Sequence, residues 1–322
     1  PPAMPPAAEP PAVEAAAALA ATQRLYFGAA GDRWVAGLPD LAATWLDRWV
    51  LTPDGPPACG AVALVLPVRR ADGTPAALKL QPVDHDTAGE GQALRLWAGR
   101  GAVALLAHDE AGGILLLERL DASRTLLCPD VADREATAVV AGLLLRLNAV
   151  PAPPGLRRLA DVAGETLASV PAARAAATDA RERGLLDTAA GLLAELLAEP
   201  TGDRLLHWDL HHSNVLGTPD GRDWRAIDPK PLAGDPGFEL LPALWNRWDA
   251  VVATGDVPAA VRTRFDLMTE VMGLDRPRAA AWTLARVLQD ACWDLTSERS
   301  RRVSPPHRAV AEALLGRAQG SG

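Results

Sequence analysis

The hydrophobic pattern of this chain changes period near Leu120, and any fold it adopts must accommodate that change. Upstream, GAVALVLPV and PAALKL flank the turn RADGT, and AVALLAHD and GILLLERL meet across EAGG. Short apolar runs on either side of Gly- and Asp-bearing turns are hairpin signals. A helix is predicted over 87–98 between the two hairpins, and LAATWLDRWV (41–50) has helical spacing ahead of them. Downstream the pattern is mainly helical: REATAVVAGLLLRLNAV stops at PAPPG, and LLDTAAGLLAELLAE stops at Pro200 and Gly202. Short strands around a loop follow, then further amphipathic helices including RTRFDLMTEVMG and RAAAWTLARVLQDACWDL. There is no internal repeat. The order predicts an α+β chain of two lobes, β-rich over 21–120 and helical over 121–318, behind a proline-rich disordered arm at 1–20.

Composition narrows the partners. No apolar run approaches the ~20 residues needed to cross a bilayer. The opening PPAMPPAAEPPAVEAAAALA lacks the basic start of a secretory signal. A net charge of −8 argues against nucleic acid or anionic membrane as the main partner and allows a cationic one. Cys59, Cys128 and Cys292 are odd in number, far apart and without a CxxC pair. That pattern fits thiols in a reducing cytosol rather than a disulfide framework or a structural zinc site. The chain is therefore expected to be cytoplasmic, and it is read as a monomer.

Almost every basic residue is arginine; the only lysines are Lys79 and Lys230. Such a chain keeps lysine where a compact ammonium is needed. Three of the six histidines, His207, His211 and His212, fall in HWDLHHSNVLGTPDGRDWRAIDPK. There Asp209 sits on a loop after a short strand, Asn214 follows five residues later, and Asp228 ends the next hairpin. Phosphoryl transfer needs a carboxylate to orient the acceptor hydroxyl and a few oxygen ligands for the divalent ions that bridge the phosphates. The D-x4-N spacing with a later aspartate matches a kinase catalytic loop and its metal ligand. Taken singly, Asp209 and Asn214 read equally as turn and cap residues. The run H-x-D-x-H-H also allows a second reading, a metal-dependent hydrolase, but no second cluster with ligand spacing accompanies it.

HWDLHHSN followed by AIDPK resembles the catalytic loop and metal site of the aminoglycoside phosphotransferases, which share the protein-kinase fold. The closer resemblance is to their streptomycin 6-phosphotransferase and hydroxyurea phosphotransferase branch. It extends through LPVRRADGTPAALKLQ, GAVALLAHDE, LLLERLDASRTL, VPAPPGL, AIDPKPLAGDPGFELLPAL and AAAWTLARVLQD, most of residues 31–318. The resemblance implies a two-lobed kinase-like fold, with the lobes joined near Glu118–Asp121 and the nucleotide between them. It implies ATP and Mg²⁺, with Asp209 as catalytic base, Asn214 and Asp228 as metal ligands, and Lys79 on the α- and β-phosphates. Gly60, in the turn CGAVA, would cover the phosphates where no GxGxxG or Walker loop exists. Glu90 has two readings: partner of Lys79, or the fourth residue of a Thr87-x-x-Glu90 capping box. Asp228 is followed by Pro-Lys, so no activation switch of the protein-kinase kind is expected.

On this resemblance the substrate is a cationic aminoglycoside, streptomycin first, phosphorylated at the 6-hydroxyl of streptidine; another small hydroxylated compound such as hydroxyurea is the alternative. Streptomycin carries two guanidino groups, so its site calls for carboxylates and flat apolar surface. Candidates are Asp235, Glu239 and Trp245, with Trp248 and Asp249 nearby, and Asp290, Trp293 and Asp294 on the late helix. Asp290 and Asp294, four residues apart, share one helical face. Each alone reads more readily as core tryptophan or solvated acid; it is as a group that they form an acidic mouth beside Asp209.

Overall fold

Alternation places Leu64, Leu66 and Val68 on one face of their strand and Ala76, Leu78 and Leu80 on the same face of the next, and all six are buried. The computed structural model describes residues 11–60, 62–297 and 300–316. The chain divides into two compact units: one runs to Gly99 and resumes over Val103–Leu120, and the other holds Arg100–Ala102 and everything from Asp121.

The first unit contains helices α1 (Pro11–Phe27), α2 (Ala29–Arg48) and α3 (Glu90–Trp97). Its sheet is built from β1 (Thr52–Pro53), β2 (Ala58–Cys59), β3 (Leu64–Arg69), β4 (Pro75–Leu80), β5 (Leu105–Asp109) and β6 (Ile114–Glu118). Strands are ordered β1-β3-β4-β6-β5, with β2 also on β3, and every pair is antiparallel. The core lies between the α2 face carrying Leu38, Ala42 and Trp45 and the sheet face carrying Leu64, Leu78 and Leu116. Of the expected arm, residues 1–10 lie outside the described residues, while from Pro11 the chain is helical. Proline is tolerated at the first helical position, and the alanine-rich run behind it has the highest helix propensity. The helix visible at 41–50 starts earlier, at Ala29, and continues through Pro39.

The second unit comprises β7 (Asp121–Thr125), α4 (Asp133–Asn148), α5 (Leu159–Ala176), α6 (Ala180–Leu197), β8 (Arg204–Leu206), β9 (Val215–Gly217) and β10 (Trp224–Ala226). It continues with β11 (Leu232–Gly234), α7 (Leu241–Trp245), α8 (Trp248–Ala253), α9 (Val257–Met272), α10 (Arg276–Thr296) and α11 (Pro305–Leu315). Short 3₁₀ turns occupy His212–Asn214 and Pro236–Glu239. Helix α10 is the hub, packing against α5, α6 and α11, while α4 packs on α9. Two small antiparallel ladders, β10-β9-β7 and β8-β11, are embedded in this helical unit and frame the loop between Leu206 and Val215. No described helix is long and apolar enough to cross a membrane. The three cysteines are unbridged, Cys59 exposed, Cys128 half-buried and Cys292 buried.

The two hairpin turns of the first sheet differ in how tightly they are held. Gly73 (φ +81°) has, among the described residues and its two chain neighbours aside, no atom within 4 Å of where a Cβ would stand, whereas at Gly113 (φ +67°) a Cβ would lie 2.3 Å from the Gln81 carbonyl oxygen. Both positions carry left-handed strain of about 1–2 kcal/mol for an L side chain, but only Gly113 adds a backbone collision. Gly73→Ala is expected to lower stability by that strain alone, and Gly113→Ala by clearly more, in urea unfolding. Equal midpoints for the two variants would refute this description of the turns.

Candidate active site

In the first unit, strand alternation that puts Leu78 and Leu80 into the core turns Lys79 to the other sheet face, where it is buried (3% exposed). A buried ammonium requires a partner. Glu90, at the first turn of α3 and 2% exposed, supplies it: Lys79 Nζ lies 2.7 Å from Oε1 and 2.9 Å from Oε2. Gln81, two residues along the same strand face, donates to Glu90 Oε2 at 2.6 Å. The capping box does not form. The Thr87 amide and hydroxyl both donate to Asp84 Oδ1, so residues 84–89 are turn and the helix begins at Glu90 rather than 87. Gly60 sits in the exposed turn between β2 and β3, its amide bonded to Ala63 O at 2.9 Å; Ala61 lies outside the described residues.

In the second unit, the two ladders bring the loop residues together. Beyond β9–β10, the Ile227 amide donates to Asn214 O at 2.9 Å, which sets Asn214 beside the Asp228 end of the hairpin. Beyond β8–β11, the Lys230 amide donates to His207 O at 3.0 Å. Asn214 Nδ2 donates to the Asp209 carbonyl at 2.9 Å, which orients its own carbonyl oxygen away from that bond. Lys230 Nζ lies 2.9 Å from Asp209 Oδ2, and His211 Nε2 stands 4.0 Å from Oδ1. Burial pushes the Asp209 carboxyl up, but the charges of Lys230 and His211 outweigh it, so its value lies below the ordinary aspartate range. Trp208 and Asp228 both take left-handed φ (+63° and +57°), uncommon strain for residues other than glycine and clustered here at the loop.

The loop is held from beneath by Glu239. This side chain is fully buried and accepts from the His207 amide at 2.5 Å, the Trp208 amide at 2.7 Å and Asn148 Nδ2 at 2.6 Å. Burial pushes its carboxyl up to about 7 against those three donors. His207 is buried with Nε2 3.0 Å from Ile227 O, and desolvation drops its value to about 4. It braces the loop, as a neutral imidazole. The guanidinium of Arg286, on α10, lies 5.2 Å from the Trp208 ring and 5.5 Å from Phe238.

From His211, one chain of contacts runs outward from the loop. His211 stands 6.2 Å from Trp245, and Trp245 meets His307 edge-on at 5.8 Å. His307 Nε2 is 3.8 Å from Asp290 Oδ2, and Arg286 Nε is 3.5 Å from Asp290 Oδ1. Asp294 accepts from the Ser304 amide at 2.9 Å, and burial pushes its carboxyl up. His307 thus joins Trp245 to Asp290, and Asp294 follows one turn later on α10. Glu239 is corrected from acceptor contact to buried loop anchor. Asp235 also has another place: it caps the Gly237 amide at 2.8 Å and pairs with Arg278 at 2.7 Å. Trp293 points away from its helix's buried face and is 58% exposed. Asp249 is exposed on α8.

Sequence reasoning gave Lys230 no role and missed His307, Gln81 and Asn148. The scarcity of lysine had already marked Lys230. Nothing local marks His307, whose partners lie on other elements. The histidine run does not converge on a metal: His207 faces Ile227, and His212 is buried near Arg264 and Asp133 with a value lowered by burial to about 3. Among the described residues no group of three His, Cys, Asp or Glu could hold a metal ion. One amide oxygen and one carboxylate, from Asn214 and Asp228, suit instead an ion such as Mg²⁺ that takes a few protein oxygens and completes its shell with phosphate and water.

Glu239→Ala leaves two buried amides without an acceptor, and at about 1–3 kcal/mol each the chain is expected to lose about 2–6 kcal/mol in denaturant unfolding. Glu239→Gln separates charge from shape. Because the folded value of about 7 lies above the ordinary 4.5, this carboxyl favours folding fully below about pH 4.5, and that contribution is lost as pH rises to 7. The stability difference between the native chain and Glu239→Gln should therefore shift against the native chain across that window. Parallel stability curves would rule out the raised value.

Known proteins resemble this chain over most of its length. The chain is 53% identical over 298 residues to the streptomycin 6-kinase of Streptomyces glaucescens, covering 92% of this chain and 96% of the relative. It is 55% identical over 307 residues to the hydroxyurea phosphotransferase of Kitasatospora aureofaciens, covering 94% and 86%. A crystal structure of the aminoglycoside phosphotransferase APH(4)-Ia superposes with a TM-score of 0.54 at 15% identity, over 88% of this chain and 99% of that one. That likeness is one of fold, and it is the kinase-like α+β fold expected from the sequence. The family model described as aminoglycoside/hydroxyurea antibiotic resistance kinase matches residues 48–297, and the chain belongs to that family.

Proposed function

We propose that this kinase transfers the γ-phosphoryl group of ATP to a hydroxyl of streptomycin, at the 6-position of streptidine, with Asp209 as the base. The observation that carries the reading is Asp209 itself. Its carboxylate is ionised, held at Oδ2 by Lys230, and linked through His211 and Trp245 to the pair Asp290 and Asp294. A dicationic acceptor matches two carboxylates beside an indole face, where ion pairs and cation–π contacts add. The histidines next to Trp245 support a polar ligand, since among the described residues His211 Nδ1 and His307 Nδ1 are buried without a hydrogen-bond partner.

In the proposed step, the acceptor hydroxyl donates to Asp209 while its oxygen bonds the γ-phosphorus. The bond from that phosphorus to the β,γ-bridging oxygen breaks, its electrons leave with ADP, and the hydroxyl proton passes to Asp209. The transition state is loose, so orientation of the hydroxyl matters more than the basicity of the carboxylate. A depressed Asp209 value is compatible with that role. Mg²⁺, held by the carbonyl oxygen of Asn214 and by Asp228, would supply positive charge against the phosphates. Lys79, fixed by Glu90 and Gln81, serves the α- and β-phosphates, and the Gly60 turn covers them. In this reading the first unit binds nucleotide and the second carries catalysis and acceptor.

Hydroxyurea is the second reading, favoured by the 55% identity to a hydroxyurea phosphotransferase. It is small and uncharged, and gives Asp290 and Asp294 no cationic partner. A coupled ADP-release assay over streptomycin, kanamycin, gentamicin and hydroxyurea, with mass spectrometry, separates the two. Streptomycin-dependent turnover with one added phosphate is expected; hydroxyurea-dependent turnover alone would replace the substrate. Asp209→Asn should lower kcat by about 10²–10⁴ without changing the melting temperature appreciably, and near-native turnover would remove Asp209 from the chemistry. Asp290→Asn should raise the KM for streptomycin about 10–100-fold, as expected for a charged contact of about 1.5–3 kcal/mol, leaving the KM for ATP unchanged. Equal loss for both substrates would place Asp290 outside acceptor binding.

A further inference from the structure

Lys230 has no assigned part in the reaction, yet its position is doubly constrained. Its backbone is fastened to the catalytic loop by the bond to His207 O, two residues after Asp228. Its ammonium meets Asp209 Oδ2 at 2.9 Å while the side chain stays 42% exposed, on the solvent side of that carboxylate. An arginine would form the same ion pair, and this chain uses arginine for all its basic residues except Lys79 and Lys230. What a guanidinium does differently is geometric. Its planar fork tends to take a carboxylate bidentately, whereas an ammonium engages one oxygen and directs its other protons elsewhere.

We propose that Lys230 is a catalytic residue whose ammonium bridges Asp209 and the phosphoryl group in transit. This rests on the kinase reading above. With the acceptor hydroxyl on the same carboxylate at about 2.7 Å and the γ-phosphorus about 3–3.5 Å beyond its oxygen, the equatorial phosphoryl oxygens come within a side-chain swing of Nζ. Those oxygens carry the spread charge of the loose transition state, where a fixed cation acts most strongly. Lys230 thus has two effects: it turns one oxygen of Asp209 away from the acceptor, so that the other receives the hydroxyl, and it meets the charge being transferred. It forms and breaks no covalent bond.

The test compares native enzyme, Lys230→Ala and Lys230→Arg in the streptomycin-dependent ADP-release assay, with melting temperatures for all three. Lys230→Ala is expected to lose about a hundredfold in kcat with both KM values within threefold. Lys230→Arg should recover only part of that loss, because charge returns without the compact geometry. Added methylammonium should raise the kcat of Lys230→Ala in a saturable way and leave the native enzyme unchanged; a lysine that only stabilises the loop would give no such rescue. A Lys230→Ala kcat within threefold of native overturns the proposal, as does a loss of kcat that amine does not relieve while Lys230→Arg is fully active. Native enzyme inactive toward every acceptor would instead overturn the kinase reading.

Discussion

Glu239 accepts hydrogen bonds from the His207 and Trp208 amides and from Asn148, entirely out of solvent. The three donors come from an α-helix and from the loop that carries Asp209, so one carboxylate ties loop to core. The left-handed backbone of Trp208 costs of order 1–3 kcal/mol and persists because these bonds fix it from below. A buried group satisfied on all sides is rigid, and rigidity is what an in-line transfer requires of the residues around it.

The electrostatics of the molecule follow the same logic on two scales. Lys79 and Glu90 are buried together, each making the other tolerable in a medium that strongly disfavours an isolated charge. Lys230 and Asp209 form a less buried pair, the lysine side chain 42% and the aspartate 25% exposed, so the energy of the pair is smaller. The first pair is suited to holding a shape.

Much of the site was legible because its parts are close in sequence. Asp209, Asn214 and Asp228 lie on one loop and one hairpin, and local ladder hydrogen bonds are enough to gather them. The fold was legible for a related reason: strand and helix periods leave their mark on every few residues. Glu90 was ambiguous, since a capping box and a buried ion pair place the same residue at the same helix start, and only the direction of the side chain separates them. Glu239, Asp235 and Trp293 could not be placed from sequence, because an acid or a tryptophan looks the same there whether it faces core, cap or solvent. The proline-rich start was read as an arm as far as residue 20, although the alanine run from Pro11 has the propensity of a helix.

The sequence by itself determined the class of fold, the grouping of Asp209, Asn214 and Asp228 on one loop and hairpin, and the rarity of lysine, because each is written in local spacing or in composition. Tertiary structure alone decided which distant residues meet. Glu239 reaches beneath His207 across 32 positions, and His307 joins Trp245 and Asp290 from another helix. Lys230 acquires its meaning only from the carboxylate it faces. Burial and pairing are properties of a position in space, and the periodicity of a chain reports which face of an element turns inward without reporting what that face will touch.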